Sequence, residues 1–236
     1  MPDNTYQRWR SSALGRITDG LEQALLFDLA GQVRGRSLLD VGCGDGALAV
    51  AFAKRDALVT GLDTDPSMLA QARARSIEQS APIRLVLGRA EQLPFVDAQF
   101  DFVMASTLLC LVRDRVRVVS EMARVLKPGG RLLVGELGAW SLWSLARRIR
   151  GWAGAQPWRE AHFHTPAELR RMMAKAGLRT IAMRGSVYYP PLTWAARLIA
   201  PADQWLGRRT TFGAAFLAAA AVKPARERSG EDTRFT

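Results

Sequence analysis

The chain has 236 residues and a mass of 26.0 kDa, enough to bury a sizeable core within one domain. A content of 48% apolar and 23% charged residues is that of a globular protein and excludes a disordered chain. No apolar run reaches membrane-spanning length; 213–222 is about half of what a spanning helix needs. The first residues show no basic region followed by an apolar core, as a secretory leader would. The two cysteines, Cys43 and Cys110, suggest no disulfide framework, and the expected compartment is the reducing cytosol. The net charge of +11 is uneven: residues 1–136 carry about +1 and residues 137–236 about +10. Six of the seven tryptophans also lie in the second part.

Residues 5–30 predict a helix, with Leu14, Ile17, Leu21, Leu25 and Leu29 on a broken 3.6-residue period. Strands are predicted at 37–41, 57–62, 82–87, 100–105 and 130–136, with helices between them. Strands alternating with helices make βαβ units and a parallel sheet. A second amphipathic stretch, 141–153, places Leu142, Leu145, Ile149 and Trp152 on one face, flanked by Arg147, Arg148 and Arg150. That stripe is expected to pack on its own domain. The alternative is contact with a membrane surface through 141–153. Thr165 and Glu168 form a capping box opening a helix with Pro166 at its first position, ended by Gly177. A sixth strand is predicted at 178–185, a short helix at 192–199 stopped by Pro201, and a seventh strand at 211–222. The fold class is α/β: a Rossmann-like, seven-stranded, mostly parallel sheet with helices on both faces and a helical insertion, 137–164, after strand five. The domain is expected to span 1–223, with 224–236 a disordered tail.

The most informative segment runs from Leu38 to Gly46, Leu-Leu-Asp-Val-Gly-Cys-Gly-Asp-Gly. An apolar run ends in an acid, glycines alternate, and a helical pattern opens at Ala47. Such a turn lets a ligand approach the backbone closely. A second strand ending in an acid at Asp63 strengthens the reading as a nucleoside-cofactor site. A dinucleotide fingerprint would place its third glycine at the position of Ala47, and Asp40 would sit badly beside a pyrophosphate. A nicotinamide dehydrogenase is therefore disfavoured.

The segment resembles motif I of the class I S-adenosylmethionine-dependent methyltransferases, and the resemblance continues along residues 36–136. Val59–Asp63 is similar to the second strand, Asp65-Pro66-Ser67-Met68 to the helix after it, and Gly88–Phe95 to the loop after the third strand. Arg124–Leu132 is similar to the turn into the fifth strand. Order and spacing match the branch with the ubiquinone and menaquinone C-methyltransferases and many small-molecule methyltransferases. The resemblance implies S-adenosylmethionine as cofactor, held by Asp40, Gly42, Cys43, Gly44, Asp63, Thr64, Met68, Ala90, Glu91 and Ser106. Residues 1–35 would form a helical lid over it. Where the family usually has an acid for the adenine amino group this chain has Arg89, which offers donors only, so that contact passes to Ala90 or Glu91.

Methyl transfer from a sulfonium needs mainly alignment and exclusion of water. No unmistakable general base appears; the candidates are His162, His164 and Tyr6. The two histidines could share a metal, but no third ligand presents itself and no metal is expected. Tyr6, Trp9, Leu109 and Trp143 are the expected acceptor-binding residues. A basic, tryptophan-rich second part favours a small acceptor with an apolar body, a negative group or both, such as a quinone precursor or lipid. An RNA or protein acceptor is the second reading, and a non-catalytic binder of the cofactor the third. Nucleic acid is disfavoured because no added RNA-binding module is visible.

Overall fold

The computed structural model describes residues 4–155 and 158–225, with side chains from Arg8 onward. Seven strands form one sheet: β1 Ser37–Val41, β2 Leu58–Asp63, β3 Arg84–Leu87, β4 Phe100–Ser106, β5 Leu126–Leu137, β6 Arg179–Ser186 and β7 Phe216–Val222. Their order is β3-β2-β1-β4-β5-β7-β6. All neighbours are parallel except β7, which runs antiparallel to both β5 and β6. The order reverses between β1 and β4, where Leu39 pairs with Val103, and a crevice opens beyond the carboxyl ends of those strands.

Alternation along the strands feeds two apolar layers. Leu39, Val103, Leu132, Val134 and Leu217 face one layer, closed by helices α5 (Arg115–Val125) and α7 (Pro166–Lys175). Leu38, Met104, Leu133 and Phe216 face the other, closed by α2 (Ala13–Ala30), α3 (Ala47–Ala53) and α8 (Thr193–Arg209). α4 (Pro66–Glu78) covers β2 and β3, and α6 (Leu142–Trp152) follows β5. No helix among the described residues is long and apolar enough to cross a membrane.

Four expectations from the sequence need correction. The single helix over 5–30 is two helices, α1 (Asn4–Ser11) and α2. The chain breaks at Ser12, whose extended backbone and side-chain bond from the Gly15 amide make it the N-cap of α2. The seventh strand begins at Phe216, not 211, after a turn at Gly213. The helix expected to stop at Pro201 continues to Arg209. Its buried residues Ala195, Ala196, Asp203 and Gly207 lie on both sides of the proline. Asp203 accepts the Ser186 hydroxyl (2.6 Å) and the Tyr188 amide (3.1 Å), and Gly207 lies against the Gly185 carbonyl, where a Cβ would collide. Docking of the second half thus outweighs the backbone bond that the proline removes.

The fourth correction concerns α6. Its apolar stripe does not pack on the domain: Leu142, Leu145, Ile149 and Trp152 are 59%, 52%, 52% and 83% exposed. The buried residues are Trp143, Ser144 and Gly151. Trp143 lies under the N-terminal helices, edge-on to Trp9 at 6.0 Å, and its indole N–H donates to the Tyr189 carbonyl at 2.8 Å. Tyr189 in turn meets Thr18 of α2 at 3.0 Å. The reading of Trp143 as an acceptor contact is therefore corrected: it is a core anchor joining α2, α6 and the segment before α8. Trp143→Ala is expected to lower unfolding stability by about 3–5 kcal/mol, the range for deleting a buried aromatic. Chemical denaturation measures this; a loss within about 0.5 kcal/mol, the usual range of a surface substitution, would remove that role.

Candidate cofactor site

The turn from β1 into α3 is built on backbone bonds. The Gly42 and Cys43 amides both donate to the Leu62 carbonyl, at 2.7 and 3.0 Å. Gly42 and Gly44 have φ of +73° and +52°, values that L side chains rarely adopt. A Cβ on Gly42 would press to 2.8 Å on Leu108, whereas one on Gly44 would meet nothing within 4 Å. The Gly44 backbone therefore faces open space, as a close-approach position should.

Acids surround this turn, and each is differently engaged. Asp63, at the end of β2, accepts the Gly44 amide (2.8 Å) and the Asp65 amide (3.0 Å), which aims its carboxylate at the turn. Asp45 receives Arg10 of α1 (3.1 Å) and Arg75 of α4 (2.6 Å). Arg10 also pairs with Asp19 of α2 at 2.7 Å. This chain of ion pairs latches α1 and α2 over the turn. Asp40 is buried, and burial together with the charges of Asp63 and Asp45 pushes its carboxyl up to about 7. Burial and the nearby Asp19 push Glu22 up to about 8, against the opposing pull of Arg147 and Arg10. A cleft is lined by Arg10, Asp19, Glu22, Gln23 and Leu26 from the N-terminal helices. Asp40, Gly42, Cys43, Gly44, Asp45, Ala47, Leu48, Met68, Ser106 and Thr107 line it from the sheet side.

The cleft thus brings together Asp40, Gly42, Cys43, Gly44, Met68 and Ser106 from the sequence prediction, with Asp63 tied to its rim. Cys43 is a buried turn residue whose thiol is pushed well up by burial and neighbouring acids, so it is no thiolate nucleophile. Thr64 is exposed. Ala90 is buried, and Arg89 turns outward to pair with Glu91 at 3.6 Å. Leu109 is corrected: it is fully buried in the core, its amide donating to Glu136, and forms no wall of the cleft. The Tyr6 side chain lies outside the described residues. Sequence reasoning missed Arg10, Asp19 and Glu22. The acids at 19 and 22 lie three residues apart on α2, a spacing that puts both on one face and could have flagged them.

Neither histidine lines the cleft. The His162 amide donates to the Cys110 carbonyl (2.9 Å) in the loop after β4 and the His164 amide to the Leu137 carbonyl (2.8 Å) at the end of β5. The rings lie 4.6 Å apart. Burial pushes His164 down to about 4 and lowers His162, which disfavours either as a strong base. Glu168 comes to 3.8 Å from His162 Nε2, a proximity that the sequence order did not reveal.

Comparison with known proteins adds the decisive observation. A methyltransferase-domain family matches residues 39–134. A ubiquinone biosynthesis O-methyltransferase of Thiobacillus denitrificans is 34% identical over 189 residues, 75% of this chain and 78% of its own. The chain belongs to the class I S-adenosylmethionine-dependent methyltransferases. An uncharacterised protein of Mycobacterium tuberculosis is 32% identical over 79% of this methyltransferase chain but 61% of its own length, so the chain spans less than two thirds of that relative. In fold, it resembles a solved S-adenosylmethionine-dependent methyltransferase of Thermotoga maritima, described as a possible histamine N-methyltransferase. The TM-score is 0.71 at 23% identity, covering 93% of this chain and 95% of that one. S-adenosylmethionine is the cofactor of the family, and the cleft fits it: buried acids and open glycine backbone suit a ligand that carries an ammonium and a sulfonium and no phosphate. Asp63→Ala is expected to weaken S-adenosylmethionine binding by on the order of 1–3 kcal/mol. Unchanged affinity by calorimetry in the folded variant would remove Asp63 from the site.

Proposed function

We propose that this chain transfers a methyl group to a small-molecule acceptor with an apolar body, a negative group or both. S-adenosylmethionine supplies an activated methyl on a sulfonium. The protein's part is to hold, orient and keep water out. Asp40 is the candidate partner of the ammonium end, Asp63 of the ribose hydroxyls, and Gly42 and Gly44 the close-approach backbone. The observation that supports a small acceptor is the roof: α1 and α2, latched through Arg10, line the cleft together with the glycine turn and strand ends. A site roofed by helices suits a small molecule better than a folded RNA or protein. In keeping with this, the relative from Thiobacillus denitrificans is named for ubiquinone biosynthesis.

Glu22 is the candidate proton acceptor for a hydroxyl-bearing acceptor. It lines the cleft, and its carboxyl lies near 8 rather than in the ordinary carboxylate range. A base works in its ionised form, which forms as pH rises through the folded value. Turnover is therefore expected to climb with pH through about 8 and level off above it. Glu22→Gln should remove that rise and lower kcat by about a hundredfold, the scale of general-base catalysis, with cofactor affinity little changed. An unaltered pH profile in Glu22→Gln excludes this role. Release of S-adenosylhomocysteine across a panel of phenolic, quinone-precursor and fatty acceptors tests the acceptor class. Turnover confined to RNA or protein acceptors would reverse it.

A membrane-proximal acceptor is favoured by one further observation. The exposed stripe of α6 is flanked by the exposed Arg148 and Arg150, and α8 exposes Trp194, Leu198 and Trp205. Tryptophan and leucine beside arginine suit the headgroup boundary of an anionic bilayer, each cation adding about 1 kcal/mol near such a surface. The chain is expected to co-sediment with phosphatidylglycerol vesicles and far less with phosphatidylcholine vesicles. The double change Ile149→Ser, Trp152→Ser should release it, because both side chains are exposed and their loss spares the core. Equal sedimentation of wild type and variant would dismiss the membrane contact and leave the small-acceptor reading standing.

A further inference from the structure

We propose that His162, His164 and Glu168 form a binding site for a divalent transition-metal ion of the zinc type, separate from the cofactor cleft and independent of the acceptor reading above. One potential ligand atom from each residue lies within 4.8 Å of the other two. His164 is fully buried, and neither of its ring nitrogens has a hydrogen-bond partner. An imidazole in that state forfeits both a donor and an acceptor, a condition that native interiors rarely leave unrelieved. The Leu109 carbonyl lies close enough to favour the protonated ring but closes no hydrogen bond of ordinary geometry on it. A metal on one nitrogen would relieve part of the cost.

Local structure explains why three residues separated in sequence converge. His164 forms an isolated bridge to Gly138, so the segment is extended there and side chains two apart share a face. The Thr165 capping box then folds Glu168 back: its Oε2 accepts the Thr165 amide at 2.7 Å and stands 3.8 Å from His162 Nε2. That amide bond is the kind of outer contact that orients a ligating carboxylate. Two imidazoles and one carboxylate are a zinc donor set that leaves a fourth position for water. The nitrogen donors disfavour magnesium and calcium, which prefer oxygen. Tetrahedral coordination at about 2.0–2.1 Å requires donor separations of ~3.4 Å, so the side chains must draw together by rotation. Arg115 and Arg148 add positive charge around His162 and temper the affinity.

These are the chain's only two histidines, so the test is unusually clean. Tag-free, chelator-dialysed full-length protein is titrated calorimetrically with Zn2+, and separately with Co2+ while visible absorption is recorded. The expected result is one ion per chain, the intense absorption of tetrahedral cobalt, and a raised Tm with Zn2+. Mg2+ should not compete. His162→Ala and Glu168→Gln should each weaken Zn2+ binding at least tenfold. Both residues are partly exposed, and far-ultraviolet circular dichroism verifies folding. His164→Ala, at the buried position, is read only by the loss of the cobalt spectrum in folded protein. Failure of the wild type to bind Zn2+ more tightly than His162→Ala would overturn the proposal. Cofactor binding, measured on the same samples, reports on the cleft separately.

Discussion

Carboxylates near the carboxyl ends of strands, tied to backbone amides of the neighbouring strand's loop, organise the functional edge of this molecule. Glu136 is fully buried near the end of β5, and its two oxygens accept the amides of Leu108 (3.1 Å), Leu109 (2.6 Å) and Cys110 (3.1 Å). Burial pushes its carboxyl up to about 7 while those amides pull it back. The bonds fix the loop after β4, and that loop presents Thr107 to the cleft and the Cys110 carbonyl to His162. Asp63 does the same for the glycine turn. A buried carboxylate deprived of such donors would be costly, so loop and acid hold each other in place.

The N-terminal helices depend on that edge. α1 is held by charge, through Arg10 on Asp19 and Asp45, and by Trp9 against Trp143, while α2 packs Leu25, Leu26 and Leu29 into the core.

The second half of the chain spends its tryptophans in two different ways. Trp143 is sequestered in the core, with Arg147 stacked 5.0 Å above its ring and 4.8 Å from that of Trp158. Trp140, Trp152, Trp194 and Trp205 remain more than half exposed. Aromatic enrichment alone did not separate these roles, since a tryptophan satisfies the same composition whether its indole N–H finds a buried carbonyl or water. Enrichment in positive charge and exposed aromatic residues distinguishes the second half of the chain from the near-neutral cofactor half.

Local patterning was enough to establish the α/β class, seven strands along the chain, the glycine turn, the strand-end acids Asp40 and Asp63, and the Thr165 capping box. Each is encoded within a few consecutive residues by hydrophobic period, glycine placement or a capping pair. What only the tertiary structure decided lies between distant segments. Ser12 breaks the first helix through a contact three residues on, but the placement of α2 over the cleft, which brings in Glu22, follows from packing against β5, β7 and α8. Pro201 is tolerated because Asp203 and Gly207 dock on β6 and the segment after it. The stripe of α6 faces outward because Trp143, on the opposite side, has the stronger claim on the core through Tyr189 and Trp9. Glu168 meets His162 because a capping box turns its carboxylate backward. Periodicity tells which side chains share a face; it does not tell which face the rest of the chain will cover.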